Sequence, residues 1–231
     1  TAWKGQAVYD VIEVFRKSVT APVDWCGCAQ LGRKDLGNKV YRFEVLVALI
    51  LSAQTPDLKL EPAVRKLQEA FPMGITPDAI LETKPEVIRD HLKWIGMQNQ
   101  KTKALIGTSQ ICSTQYHGDI PTTFEELLLL PGVGPKIAAL TMSAAWHKHV
   151  AIGVDTHLHR ISNRLGWVTT KTPEETRKRL QMEVPEELWG PINPLMVGFG
   201  QVLCKAVNPA CEACPVKELC PKRGVKAAKK R

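Results

Sequence analysis

The chain has 231 residues, 44% of them apolar and 23% charged, with no low-complexity tract; this is enough for one large domain or two modest ones and excludes a disordered or fibrous protein. Its longest unbroken apolar run, residues 45–51, is seven residues, far short of the ~20 that cross a bilayer, so no membrane partner is expected. The formal charge of +8 suits nucleic acid, but six Lys/Arg lie in the last ten residues, KRGVKAAKKR, leaving residues 1–221 with 25 bases against 23 acids. That tail, 222–231, reads as disordered and basic; DNA affinity in the body must come from local placement of groups.

Helix signals dominate in chain order. Val8, Val11, Ile12, Phe15 and Val19 recur at helical spacing. Residues 41–54 form an almost wholly apolar helix, expected to be central. Thr76-Pro77-Asp78 is an N-cap with proline at the first helical position. A further helix is expected over 100–116, and Thr123 with Glu126, like Thr172 with Glu175, makes a capping box. Only VAIGV, residues 150–154, has strand character, too isolated to build a sheet. The chain therefore reads as all-α, with a crossing between lobes near residues 146–154.

The stretch LPGVGPK, residues 130–136, runs out of a short helix over 124–129. Pro131 stops that helix, Gly132 and Gly134 permit φ > 0 and a close partner, and Pro135 suits the first turn of the next. This is a helix–hairpin–helix, and the free N–H groups of Gly132, Val133 and Gly134 would cradle an anion. There is no phosphate-binding G-x-x-x-x-G-K-[ST] loop, so a DNA phosphate fits better than a nucleoside triphosphate. Lys136 falls on the first turn of the new helix, where the positive dipole end disfavours its ammonium form; it is either a candidate amine nucleophile or a phosphate-binding cation. Asp155, in VDTHLHR, is a helix N-cap or a carboxylate facing a cleft. His157 and His159 are two apart and share no helix face.

Seven cysteines are present, and four of them, Cys204, Cys211, Cys214 and Cys220, fall within seventeen residues at the spacing C-x6-C-x2-C-x5-C. Four thiolates suit one metal centre in a reducing compartment rather than a disulfide scaffold. A single C-x2-C with long arms favours a [4Fe–4S] cluster over zinc, which usually takes two knuckles; both stay open on spacing alone. Cys26, Cys28 and Cys112 read as ordinary thiols.

Taken in order, LPGVGPK, VDTHLHR and the cysteine spacing resemble the endonuclease III family of DNA glycosylases in the helix–hairpin–helix superfamily, and VGFGQVLC, residues 197–204, is similar to its eukaryotic branch. The resemblance implies two helical lobes with a DNA-binding groove between them. One is a six-helix barrel over 35–150 holding the hairpin; the other, 1–34 with 151–221, carries a [4Fe–4S] cluster on the four cysteines. It implies a monomeric glycosylase and abasic-site lyase that acts on double-stranded DNA containing damaged pyrimidines or abasic sites. In that reading Lys136 attacks C1′ and Asp155 assists. Gln54, in LSAQTPD, fills the space of the flipped base, and Met97, in IGMQNQK, wedges beside it. Lys101 would contact a phosphate, and Lys205 is the one base in an arm that relatives make more basic. A nuclear location is expected, with the mitochondrion as a second compartment. The competing reading is a noncatalytic DNA-binding protein that kept hairpin and cluster.

Overall fold

The computed structural model describes residues 3–225. They form twelve α-helices and no strand: α1 (Gln6–Lys17), α2 (Pro22–Cys26), α3 (Asn38–Leu51), α4 (Asp57–Ala70), α5 (Pro77–Glu82), α6 (Pro85–His91), α7 (Gln98–Tyr116), α8 (Phe124–Leu127), α9 (Pro135–Trp146), α10 (Thr156–Arg164), α11 (Pro173–Glu183) and α12 (Ile192–Val202). Among the described residues, no helix is long and apolar enough to cross a membrane.

The chain divides into two compact units, one spanning Trp25–Val150 and one built from the residues up to Asp24 with those from Ala151 onward. In the first, six longer helices and the one-turn α8 enclose a single core. Its centre is α3, in which every residue from Phe43 to Leu51 is buried. That includes Glu44, which has no exposure at all. Its carboxylate accepts from the Arg33 guanidinium and backbone N–H, from Gln68 Nε2 at 3.0 Å and from the Ile75 N–H at 3.0 Å. Such satisfaction is what lets a charge sit inside an apolar helix bundle. The same bonds hold Leu31 and Arg33 against α3 and α4. For that reason residues 25–34, assigned by sequence to the other lobe, belong to this unit. The central helix also starts and ends three residues earlier than the apolar run suggests, and Gln54 lies outside it.

The other unit packs α1 on α12 and α10 between α11 and α12. Its core holds Tyr9, Ile12, Leu158, Ile161, Trp167 and Phe199 among others. Trp3 stands edge-on to Trp167, ring centroids 4.7 Å apart. Gly198 lets α1 approach: a Cβ there would fall 2.3 Å from the Arg16 guanidinium. The VAIGV stretch is not a strand; its backbone bonds are taken by side chains instead, with Asn193 Nδ2 donating to the Gly153 carbonyl at 2.6 Å and the Ile152 N–H donating to Gln181. At the C-terminal end, Arg223 donates to Thr169 and to the Arg164 carbonyl, so residues 222–225 are tied down where disorder was expected. The remainder of the basic tail, 226–231, lies outside the described residues.

Candidate functional site

The hairpin forms as its prolines and glycines dictate, with one redistribution of roles. Gly132 takes φ +76°. A Cβ on it would meet the Ala104 methyl of α7 at 2.7 Å, so both conformation and space demand glycine. Gly134, by contrast, is extended (φ −101°, ψ −179°) and caps α9 without a side chain, and a Cβ there would meet nothing within 4 Å. Its bareness faces open space, where a ligand backbone can approach. The expected cradle includes the Val133 N–H, but that group donates to the Leu130 carbonyl at 3.1 Å, and the Val133 side chain is buried. Among the described residues the N–H groups of Gly132, Gly134, Lys136 and Ile137 have no such partner, and they are the donors left for an anion.

Lys136 lies half-buried on the first turn of α9. Its charge is felt by a thiol that sequence reasoning set aside. The Cys28 thiol is pushed up to about 11 by burial, with the Lys136 charge pulling it back down and Asp57 pushing it up. Cys28 carries no local sequence signal of that proximity, because a 3₁₀ turn, residues 28–30, brings it against α3.

Asp155 caps α10 in the other unit. Its Oδ1 accepts the Leu158 N–H at 2.8 Å, and the residue is partly exposed. Beyond it the two histidines diverge as their spacing requires: His157 Nδ1 meets Arg160 Nη2 at 3.1 Å, while His159 Nδ1 meets Thr176 Oγ1 at 2.6 Å. A Cβ on Gly200 would come 2.5 Å from His157 Nδ1, which explains the second glycine of VGFG.

Gln54 and Met97 are both exposed and both left-handed, at φ +52° and +60°. Gln54 sits in the turn between α3 and α4, and Met97 is the residue before α7. Both thus hold a conformation that L-residues rarely adopt, shared among the described residues by His117, His147, Asn208 and Lys222. Lys101 is placed otherwise than a phosphate contact should be. It is only 3% exposed, and its Nζ donates to Thr55 Oγ1 at 2.6 Å. Lys205 is exposed, as expected of a contact in the arm after Cys204.

The four C-terminal cysteines line one cavity of about 400 Å³, its mouth included, together with Phe199 and Val216. All are free thiols. Four separate thiols around one space suit a multi-iron cluster that takes one thiolate per iron. Donors face the thiols: Arg164 Nη1 lies 3.4 Å from Cys204 Sγ, and the Lys222 N–H lies 3.4 Å from Cys220 Sγ. Arg164 also donates to the carbonyls of Lys205 at 2.7 Å and Ala206 at 2.9 Å, fixing the first arm. Burial pushes the Cys214 and Cys220 thiols up.

The comparisons agree with this geometry. Residues 47–186 match the model of the HhH-GPD superfamily of base excision DNA repair proteins, and residues 204–220 match the iron–sulfur binding domain of endonuclease III, whose cofactor is a [4Fe–4S] cluster. The chain is 44% identical over 216 residues to an endonuclease III homologue of Schizosaccharomyces pombe, covering 93% of this chain and 61% of that protein. It thus spans less than two thirds of that relative's length. It is 47% identical over 178 residues to endonuclease III of Thermotoga maritima, covering 77% of this chain and 82% of the relative. Among solved structures, a trapped endonuclease III–DNA covalent intermediate superposes with a TM-score of 0.80 at 29% identity, over 95% of this chain and 96% of its own. The fold, the hairpin and the cysteine loop place this chain in the endonuclease III family of the HhH-GPD superfamily.

Proposed function

We propose that the chain is a bifunctional DNA glycosylase and abasic-site lyase that removes oxidised or ring-saturated pyrimidines, such as thymine glycol, from duplex DNA in the nucleus and mitochondrion. The observation that carries this reading is Lys136, an amine half-buried on the first turn of a helix entered through bare backbone. The N–H groups of Gly132 and Gly134 hold a phosphate, bringing the sugar of the flipped nucleotide to that amine. The Nζ lone pair forms a bond to C1′, and the glycosidic bond breaks with its electron pair leaving on the base. Asp155 stabilises the positive charge that develops on the sugar and accepts the proton that the Lys136 nitrogen sheds once it has bonded to C1′. The ring opens to an imine, C2′ loses a proton, and the electrons expel the 3′ phosphate in a β-elimination. Gln54 fills the space vacated by the base, Met97 wedges into the stack, and Lys205 adds a weak contact to the backbone. Cys204, Cys211, Cys214 and Cys220 hold the cluster, which orders the loop between them. The solved relative trapped as a covalent intermediate with DNA supports a covalent step.

Borohydride trapping on duplex DNA containing thymine glycol tests this. The wild type should give a covalent protein–DNA band, and Lys136→Gln should bind DNA without giving one. A band on abasic DNA alone would keep the lyase and change the substrate. Tight binding with no band on either DNA would establish the noncatalytic reading.

A further inference from the structure

Lys101 is bonded at both ends to the two left-handed turns. Its backbone N–H donates to the Met97 carbonyl at 2.9 Å, closing the first turn of α7. Its side chain runs into the protein, where Nζ donates to Thr55 Oγ1 at 2.6 Å. The Thr55 hydroxyl in turn donates to the Ala53 carbonyl at 3.4 Å, so the chain of bonds brackets Gln54 from both sides. Among the described residues no carboxylate pairs with this ammonium, and burial lowers its pKa. A lysine kept inside with one hydroxyl for a partner is expensive, and an apolar side chain of the same length would fill the space at less cost. What methionine or leucine could not do is tie the α3–α4 turn to the start of α7.

We propose that Lys101 is a positioning residue whose bond to Thr55 sets the distance between the Gln54 and Met97 turns, so that both side chains arrive at the lesion together. The proposal rests on the roles given to Gln54 and Met97 above. Two short loops in a costly conformation drift unless the surroundings fix them. A displacement on the order of 1 Å at a positioning group costs up to about a hundred-fold in rate. Lys101 thus acts through other residues and touches no DNA.

The test uses Lys101→Met, Thr55→Val and the double variant, with Thr55→Ser as the change that keeps the hydroxyl. In the protein without DNA, amide exchange over residues 52–56 and 96–101 should accelerate in Lys101→Met and Thr55→Val and stay at the wild-type rate in Thr55→Ser. Single-turnover excision of thymine glycol should fall about ten-fold or more in each of the first two, and the double variant should be no slower than either. The slope of log affinity against log salt should not change. A slope reduced by about 0.9 in Lys101→Met alone would make Lys101 a phosphate contact and overturn the proposal. So would multiplicative losses in the double variant, or wild-type exchange in both single variants. Should the wild type itself fail to excise the base, the proposed function falls, and the exchange rates still decide whether the two turns are tied.

Discussion

The methyl group of Ala104 occupies the place where a side chain on Gly132 would have to go, 2.7 Å from its ideal Cβ. Helix α7 therefore sets how closely the hairpin packs, and the identity of Gly132 is fixed by a helix distant from it in sequence. Gly132→Ala meets both this contact and a left-handed φ, and should cost about 2 kcal/mol or more in urea unfolding. Gly134→Ala meets neither. It should leave stability within about 0.5 kcal/mol while weakening DNA binding about ten-fold, because the new methyl stands where a phosphate approaches. Equal stability losses in the two variants would sink this division of roles.

What was legible in the sequence is what is local. Thr76, Thr123 and Thr172 each accept the N–H three residues on, as their spacing predicts. The hairpin, the Asp155 cap and the order of the cysteines were equally readable. Three features were not. Residues 25–34 join the larger unit through Glu44, a contact that no periodicity announces. Lys101, in the polar run MQNQK, reads as a surface cation until Thr55 draws it inward. The N–H of Val133 is spent on Leu130, which only the turn geometry reveals.

Asp155 carries two roles that one pair of substitutions separates. An asparagine caps a helix about as well as an aspartate, so Asp155→Asn should keep the Leu158 bond and the melting temperature while lowering base release by about a hundred-fold or more. Asp155→Ala should lose the activity and, in addition, about 1 kcal/mol of stability. Thermal melts and single-turnover assays on the two variants decide the matter. If Asp155→Asn retains full activity, the residue is a cap and nothing more.

Arg164 holds the cysteine loop with a buried guanidinium set against the sulfur and carbonyl of Cys204 and bonded most closely to the carbonyls of Lys205 and Ala206. Arg164→Met should leave these carbonyls unpaired and lower stability by on the order of 3 kcal/mol. The visible absorbance of the cluster should then bleach faster under a chelator. Cys211→Ser should lower the melting temperature more, because it removes a ligand and the folding energy coupled to it. An unchanged melting temperature in Cys211→Ser would show that the loop folds without its cofactor.

Alkaline stability should depend on Cys112. Burial, with Asp119 adding to it, pushes this thiol from an ordinary 9.0 up to about 12. The unfolded chain then releases its proton first. The stabilising contribution is whole below about pH 9 and is lost as pH rises from about 9 towards 12. Cys112→Ala should flatten that part of the curve, at a cost of about 1 kcal/mol at neutral pH for the lost packing. Denaturant midpoints taken across this range would show it, and an identical slope in variant and wild type would assign the loss to other groups.

The unit assembled from both ends of the chain has a consequence for biosynthesis. Helix α1 is synthesised well before the rest of its unit, yet Tyr9 and Ile12 pack in a core that also needs Leu158, Ile161 and Phe199. Residues 25–150 hold a core of their own and can close while translation continues at about 5–20 residues per second. Through that interval α1 has nothing to bury its apolar face against. The cysteine loop, which lines the cavity beside Phe199 and Val216, is synthesised later still. The four thiols that would hold the cluster are thus complete only after residues 25–150 have been synthesised, and until then α1 is the segment most open to chaperones and proteases.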